Sequence, residues 1–209
     1  MAEKRQKNAE KNREKIMKTT LQLLLKKGST GAASTTEICA AANLTRPTLY
    51  HHFGSKRGLL LAVHMRLIER DLGPLIEKAE SIADPLQRLS FMIRAFTEHI
   101  CMHPELRVLI HDTLIMKDKH FVSVRDVWKK HYILLKDTIN ELKAAKRIDG
   151  DIKPSWAALF FLGMQTWITY WFDFSKNDSS VEQIKEAALR LVLNGLGCKE
   201  APPKREEPL

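Results

Sequence analysis

Residues 34–57 read STTEICAAANLTRPTLYHHFGSKR, and no other stretch restricts the fold as tightly. Ser34-Thr35-Thr36-Glu37 is a capping box that starts one helix. Thr45 is a good N-cap for a second helix, with Pro47 tolerated in its first turn. At about 100° per residue, Leu49 and Phe53 of that second helix share one face. Pro47, Thr48 and His51 fall on the opposite face, with Tyr50 at its edge. Arg46 lies nearer the apolar side by angle, but in the first turn a long side chain can swing outward. One side therefore plugs into a core while the other offers short polar, ring and basic groups. This is the layout of a helix-turn-helix, whose second helix meets base edges with its N-terminal residues.

Charge points the same way. Residues 1–70 hold 14 Lys and Arg against 5 Asp and Glu, a net +9. The other 139 residues hold 20 of each sign, so the first third carries all of the net charge. A basic module beside a neutral one is the electrostatic footprint of nucleic-acid binding.

The 34–57 stretch resembles the signature of the TetR/AcrR family of bacterial one-component regulators. The matching residues are Thr35-Thr36, Ile38, Ala42, Leu44, Thr45, Thr48-Leu49-Tyr50-His51-His52-Phe53 and Ser55-Lys56. Upstream, Ile16, Leu21, Leu24 and Gly28 match the family's first helix and its glycine stop, so the resemblance covers roughly residues 12–62. Two positions depart from the pattern. Cys39 replaces a small Ala, which a buried thiol can do. Asn43 replaces the turn Gly, and Asn is the non-glycine residue that best tolerates a left-handed backbone. The resemblance implies an all-α chain: an N-terminal three-helix DNA-binding domain over 1–58, then a helical bundle for ligand binding and dimerisation over 59–197. Residues 198–209 read as a disordered, Pro-rich charged tail.

Residue type assigns expected DNA contacts. Thr35, at the start of its helix, suits a phosphate, and Thr36 can reach a base. Arg46 suits bidentate contact with a guanine. Pro47 and Thr48 can pack on a thymine methyl. Tyr50 and His51 suit phosphate or base, Lys56 a phosphate, and His52 either a contact or a packed flank.

The rest of the chain reads as helices. The first is expected from about Asn8 to Lys27. A fourth starts at Ser55 and runs to Gly73-Pro74, read as a terminator. Asp84-Pro85 opens a fifth that Pro104 breaks. A short helix to about Met116, a long one over 121–146, one opened by Pro154-Ser155, and a last one behind a Ser179-x-x-Glu182 capping box complete the set.

The segment over 156–172 is apolar nearly all round. It is at the lower limit of a membrane span and is interrupted by Gln165, Thr166 and Thr169, so burial on two sides within a soluble protein is the better reading. The resemblance implies that the last two helices pair with their copies in a homodimer. Trp156, Phe160, Gly163, Trp167, Ala188 and Leu191 are the expected interface. Two recognition helices about 34–36 Å apart then read a palindromic operator on double-stranded DNA.

Some 130 neutral, aromatic-bearing residues after the DNA module point to an effector. Phe96, Ile100, Ile110, Leu114 and Trp128 are candidates to line an apolar cavity, with Phe161 and Trp171. Arg107, His111, Tyr132 and Gln165 are its candidate polar handles. Such a pocket suits a small hydrophobic or amphipathic molecule.

Catalysis is not expected, because no GxSxG, HExxH or glycine-rich phosphate loop is present. His99 and His103 share a helical face, but no third ligand has recognisable spacing, so neither a metal nor a cofactor is expected. Cys39, Cys101 and Cys198 form no CxxC pair, and with a polar N-terminus a reducing cytoplasm is the expected setting. By resemblance the expected function is a repressor released from its operator when a ligand swings the Ser55–Leu72 helix. An activator of the same fold is the alternative, followed by a helical ligand-binding protein without specific DNA readout.

Overall fold

The computed structural model describes residues 2–28, 32–103, 122–171 and 180–200, leaving aside the side chains of 2–5 and 169–171. Among them every extended element is helical. They divide into two compact units. One comprises the described residues up to 70 with 122–125, the other 71–103, 126–171 and 180–200.

In the first unit, α1 spans Ala2–Lys27, α2 Thr35–Ala42, α3 Arg46–Phe53 and α4 Lys56–Leu67. α1 starts well before the expected Asn8, because Ala, Glu, Lys, Arg and Gln fill its first turns with good helix formers and no breaker. It stops at Gly28, whose φ of 73° only glycine adopts easily. Ile16, Leu24, Ile38, Leu49, Leu59 and Val63 are buried, joining the four helices in one core. The expected small apolar role of Cys39 holds, since it too is buried.

The Gly73-Pro74 terminator is a correction. α4 ends at Leu67, a π-helical turn follows over Ile68–Leu72, and α5 (Gly73–Ser81) starts at the very pair expected to stop the chain. Pro74 has no N–H for a carbonyl four residues back, and its ring crowds that carbonyl. Widening the preceding turn relieves both problems, and Pro is at home in the first turn of the new helix.

In the second unit α6 (Pro85–Met102) is central. It packs on α5, on α8 (Pro154–Trp171) and on α9 (Val181–Gly195). Asp84 caps it as expected, accepting from the amides of Leu86 and Gln87 at 3.0 and 2.8 Å. α7 (Val122–Ala144) crosses from the first unit's residues into the second. Its Glu141 accepts from Arg88 of α6 at 2.9 Å. The last capping box lies one residue later than expected: Ser180 and Gln183 exchange backbone and side-chain bonds of 2.7 and 3.2 Å. Gln serves an N3 position as well as Glu does, so Ser180 with Gln183 closes the box one residue on from the expected pair.

The chain's end also departs from expectation. Residues 198–200, read as the start of a disordered tail, are tied to the loop after α7. Cys198 pairs with Ile148 in an isolated antiparallel bridge, Gly150 N–H donates to Leu196 at 3.0 Å, and Arg147 holds both Asp84 and Glu200. The remaining residues of the expected tail, and the expected short helix before Met116, lie outside the described residues.

A Cβ on Gly150 would stand 2.9 Å from the Leu196 carbonyl oxygen, a backbone atom that cannot turn aside. Gly150→Ala is therefore expected to lower unfolding stability by about 1–2 kcal/mol in urea titration. An unchanged midpoint would show that this junction is loose.

Candidate nucleic-acid interface

The recognition surface is built from the turn upward. Asn43 takes the left-handed conformation expected of it, at φ 52° and ψ 55°. This reverses the chain between α2 and α3. Ser34 and Glu37 form the expected capping box, with Ser34 N–H donating to Glu37 at 2.9 Å and Glu37 N–H to Ser34 Oγ at 3.2 Å. The Lys27 ammonium, with the Ser34 donors, holds the Glu37 carboxyl well below the usual carboxylate range. Thr45 caps α3 by accepting from Thr48 N–H, and the two hydroxyls lie 2.9 Å apart.

The facing follows the helical wheel. Leu49 is fully buried, and Phe53 is half-buried beneath the Arg13 guanidinium, 4.6 Å from its ring centre. Arg46, Pro47, Thr48, Tyr50 and His51 are exposed together along one side of α3. Thr36 is exposed on α2, and Thr35, His52 and Lys56 are half-buried at the flanks. Arg46 does swing away from the apolar side by which its angle places it. Its Nη2 donates to Thr36 Oγ1 at 2.5 Å, so the side chain bridges the two helices of the motif. His52 offers its carbonyl to Arg13 at 2.8 Å, a tie from α3 to α1 that the sequence did not announce.

The fold and this surface match known proteins along most of the chain. Residues 16–63 match a family model described as "Bacterial regulatory proteins, tetR family", and residues 83–196 one described as "Tetracyclin repressor-like, C-terminal domain". The chain belongs to the TetR family. Members are transcriptional regulators with a DNA-binding helix-turn-helix. This TetR-family chain is 26% identical over 183 residues to the HTH-type transcriptional regulator AcrR of Shigella flexneri, covering 80% of this chain and 83% of that one. Its fold is that of AibR crystallised with isovaleryl coenzyme A and operator DNA, at a TM-score of 0.78 and 23% identity over 90% of this chain and 99% of AibR. It is also that of FadR from Bacillus subtilis in complex with stearoyl-CoA, at 0.69 and 12% over 87% and 98%.

The expected ligand residues divide. Phe96, Ile100 and Phe161 are buried, and Trp128 and Tyr132 are half-buried. Gln165 is buried, with its amide 3.4 Å from Thr97 Oγ1. Arg107, Ile110, His111 and Leu114 lie outside the described residues, as does the side chain of Trp171. The polar group that sequence reading missed is His131. It is wholly buried on α7 and stacked on Phe96 at 3.7 Å between ring centres. Neither of its ring nitrogens has a hydrogen-bond partner among the described residues. Its signal was available: it sits in register with Leu135, Thr138 and Leu142 on the buried stripe of that helix. Asp71 is a second omission, lying in the π-helical turn close to His99 and His103.

Of the expected dimer residues, Trp156, Phe160, Gly163 and Trp167 are exposed along α8, and Leu191 is exposed on α9. Ala188 is a correction. It is buried within its own unit, where the inner side of α9 packs on α6 and a small residue lets the two helices approach. Among the described residues no helix is long and apolar enough to cross a membrane. The three cysteines are free, and burial pushes the Cys101 thiol up to about 11, so it stays protonated and poorly nucleophilic at neutral pH.

Burial holds His131 neutral, its pKa lowered from 6.5 to about 3. The unfolded chain takes up this proton at the higher value and the folded chain only at the lower one. Stability is therefore lost as pH falls between them, by up to about 1.4 kcal/mol per pH unit. His131→Leu is expected to flatten the pH dependence of unfolding between pH 6 and 4 relative to the unsubstituted protein, and to leave stability at pH 7.5 equal or higher. Equal slopes for the two proteins would mean that His131 reaches solvent.

Proposed function

We propose that the chain is a ligand-responsive, sequence-specific transcriptional regulator, a repressor that binds a palindromic operator as a homodimer and leaves it when an effector binds. The observation that carries this reading is the exposed row on α3 above a fully buried Leu49, a readable surface on a fixed base. Arg46 supplies the bidentate fork for a guanine, Thr48 and Pro47 the contact for a thymine methyl, and Thr36 a second base contact. Thr35 at the N-terminus of α2, with Tyr50, His51, His52 and Lys56, supplies phosphate contacts that set the register. The Arg46–Thr36 bond holds the guanidinium extended before DNA arrives, so less side-chain freedom is lost on binding.

A homodimer is supported by one continuous face. Trp156, Phe160, Gly163 and Trp167 follow helical spacing along α8, and Phe160 and Trp167 are 66% and 64% exposed. Beside them an apolar groove of about 340 Å³ runs between α8 and α9, lined by Phe160, Met164, Leu191 and Val192 among others. Large side chains left in water along one helix are the usual mark of an interface.

The effector we propose is an acyl thioester of coenzyme A or a molecule of similar amphipathic character. Two proteins of this fold carry such ligands, and the second unit here buries aromatic and aliphatic side chains with few polar groups among them. His131 and Gln165 supply hydrogen bonds inside that apolar surrounding. Effector and DNA favour different members of one ensemble, so each weakens the other, and α4 is the element that moves.

The test is a titration of the protein against the DNA flanking its own gene, at two salt concentrations and with acyl-CoAs of several lengths. Saturable, palindrome-dependent binding with a steep salt slope, reversed by one acyl-CoA, is expected. Binding that ignores sequence would overturn the reading. Arg46→Ala is expected to weaken specific binding by about 1–3 kcal/mol and to relax preference at a single operator position. Undiminished discrimination at every base would remove Arg46 from the readout. Phe160→Glu is expected to sediment as a monomer and to bind the operator poorly, and a full dimer in the ultracentrifuge would rule out the α8 face.

A further inference from the structure

The C-terminal end of α6 carries a cluster used by neither the DNA surface nor the apolar interior. His99 and His103 are one helical turn apart, and their ring centres lie 4.7 Å from each other. Asp71 joins them from the π-helical turn, and one ligand atom from each of the three lies within 4.8 Å of the others. His99 is buried, and Asp71 and His103 are half-buried. All three belong to the second unit.

We propose that Asp71, His99 and His103 bind one divalent transition-metal ion of the zinc class, leaving a further coordination position to water or an added ligand. Two imidazoles and one carboxylate are the donor set of zinc, nickel and cobalt sites, whereas magnesium and calcium prefer oxygen throughout. Ligands of a tetrahedral zinc at about 2.1 Å lie about 3.4 Å apart, so the side chains need to close by about an ångström. Their positions in the chain permit this. His103 is the residue that ends α6, with non-helical φ and ψ of −123° and 75°. Asp71 stands in a widened turn, the kind of helical irregularity that re-aims a side chain and recurs at functional sites. Partial burial keeps the cluster from being only a solvated charge pair, and the half-exposed His103 leaves an entry path. Occupancy would pin the π-helical turn to the end of α6. The chain would then have an input distinct from its organic effector, and the inference stands whether or not that effector is an acyl-CoA.

Cobalt(II) is the probe, because it replaces zinc and its visible absorption reports coordination. The full chain, stripped with a chelator, is expected to bind about one Co2+ per chain, with d–d bands of a low-coordinate site that Zn2+ abolishes. D71N keeps the size and hydrogen-bonding capacity of the side chain but is a weaker ligand. It and H103Q are each expected to weaken Co2+ binding at least about tenfold while retaining the helical circular dichroism. A cluster serving only as a hydrogen-bonded brace gives no saturable cobalt spectrum, or one that survives both substitutions. Either result overturns the proposal. An independent reading uses the unsubstituted chain alone: its unfolding midpoint is expected to rise with Zn2+ and not with Mg2+, and a midpoint indifferent to zinc also overturns it.

Discussion

The burial of Leu49 is the contact on which the DNA-binding surface depends. α3 has eight residues, too few to hold a helical conformation in water by itself. Its geometry must come from elsewhere, and three ties supply it. Thr45 closes its N-terminus, Leu49 anchors its middle, and Arg13 of α1 reaches both the ring of Phe53 and the carbonyl of His52 at its end. Since the buried residue and the exposed row are set by one helical period, fixing Leu49 in the core also fixes where Arg46, Thr48 and His51 point. Asn43 contributes from outside the helix, because the left-handed turn sets the direction from which α3 leaves α2. This unit spends its apolar residues on orientation, and its net positive charge is left for a polyanion.

The second unit follows another logic. α6 takes contacts from α5, α8 and α9 and stacks Phe96 on His131 of α7, so it is buried on most sides. Two partly covered ion pairs steer its surroundings: Arg94 grips Glu186 of α9 with bonds of 2.7 and 3.1 Å, and Arg88 reaches Glu141 of α7. A fully buried imidazole with no partner among the described residues is unfavourable on its own account, and an apolar residue of its size would pack with less penalty. Its presence beside Phe96 is therefore an argument for a ligand atom that completes it, which is why His131 enters the effector proposal ahead of residues with satisfied polar groups.

What could be read from the sequence was local. Ser34 with Glu37, Thr45, Asp84 and Asn43 each act on backbone a few residues away, so their chemistry is written in consecutive letters, and the structure places each in the expected role. The same local grammar failed where two readings fit equally well. Ser179 and Ser180 both precede a suitable N3 residue, and Gly73-Pro74 both ends a helix and begins one. Partners from distant parts of the chain were not legible. Asp71 meets His99 and His103 only through the packing of the π-helical turn, and Ala188 faces inward because α6 lies on that side of α9. The register of His131 placed it on the buried stripe of α7, but its stacking on Phe96 of another helix was not legible.

α8 shows how folding and assembly divide one apolar helix. Ala158, Phe161 and Gln165 face the interior and are buried by their own unit. Trp156, Leu159, Phe160 and Trp167 are on the other side and remain in water. A single chain cannot cover both sides of such a helix without another layer, and this chain has no helix left to supply one among the described residues. The proposed operator places a matching demand on the protein. One eight-residue recognition helix reaches only a few base edges, and each good pair contributes about 1–3 kcal/mol of discrimination. Selecting one site in a genome requires roughly 4–10 kcal/mol over non-specific binding. A second copy, closed over the exposed side of α8, would double the contacts and fix their spacing in one step. The proposed dimer thus satisfies the unburied face of one unit and the insufficient reach of the other.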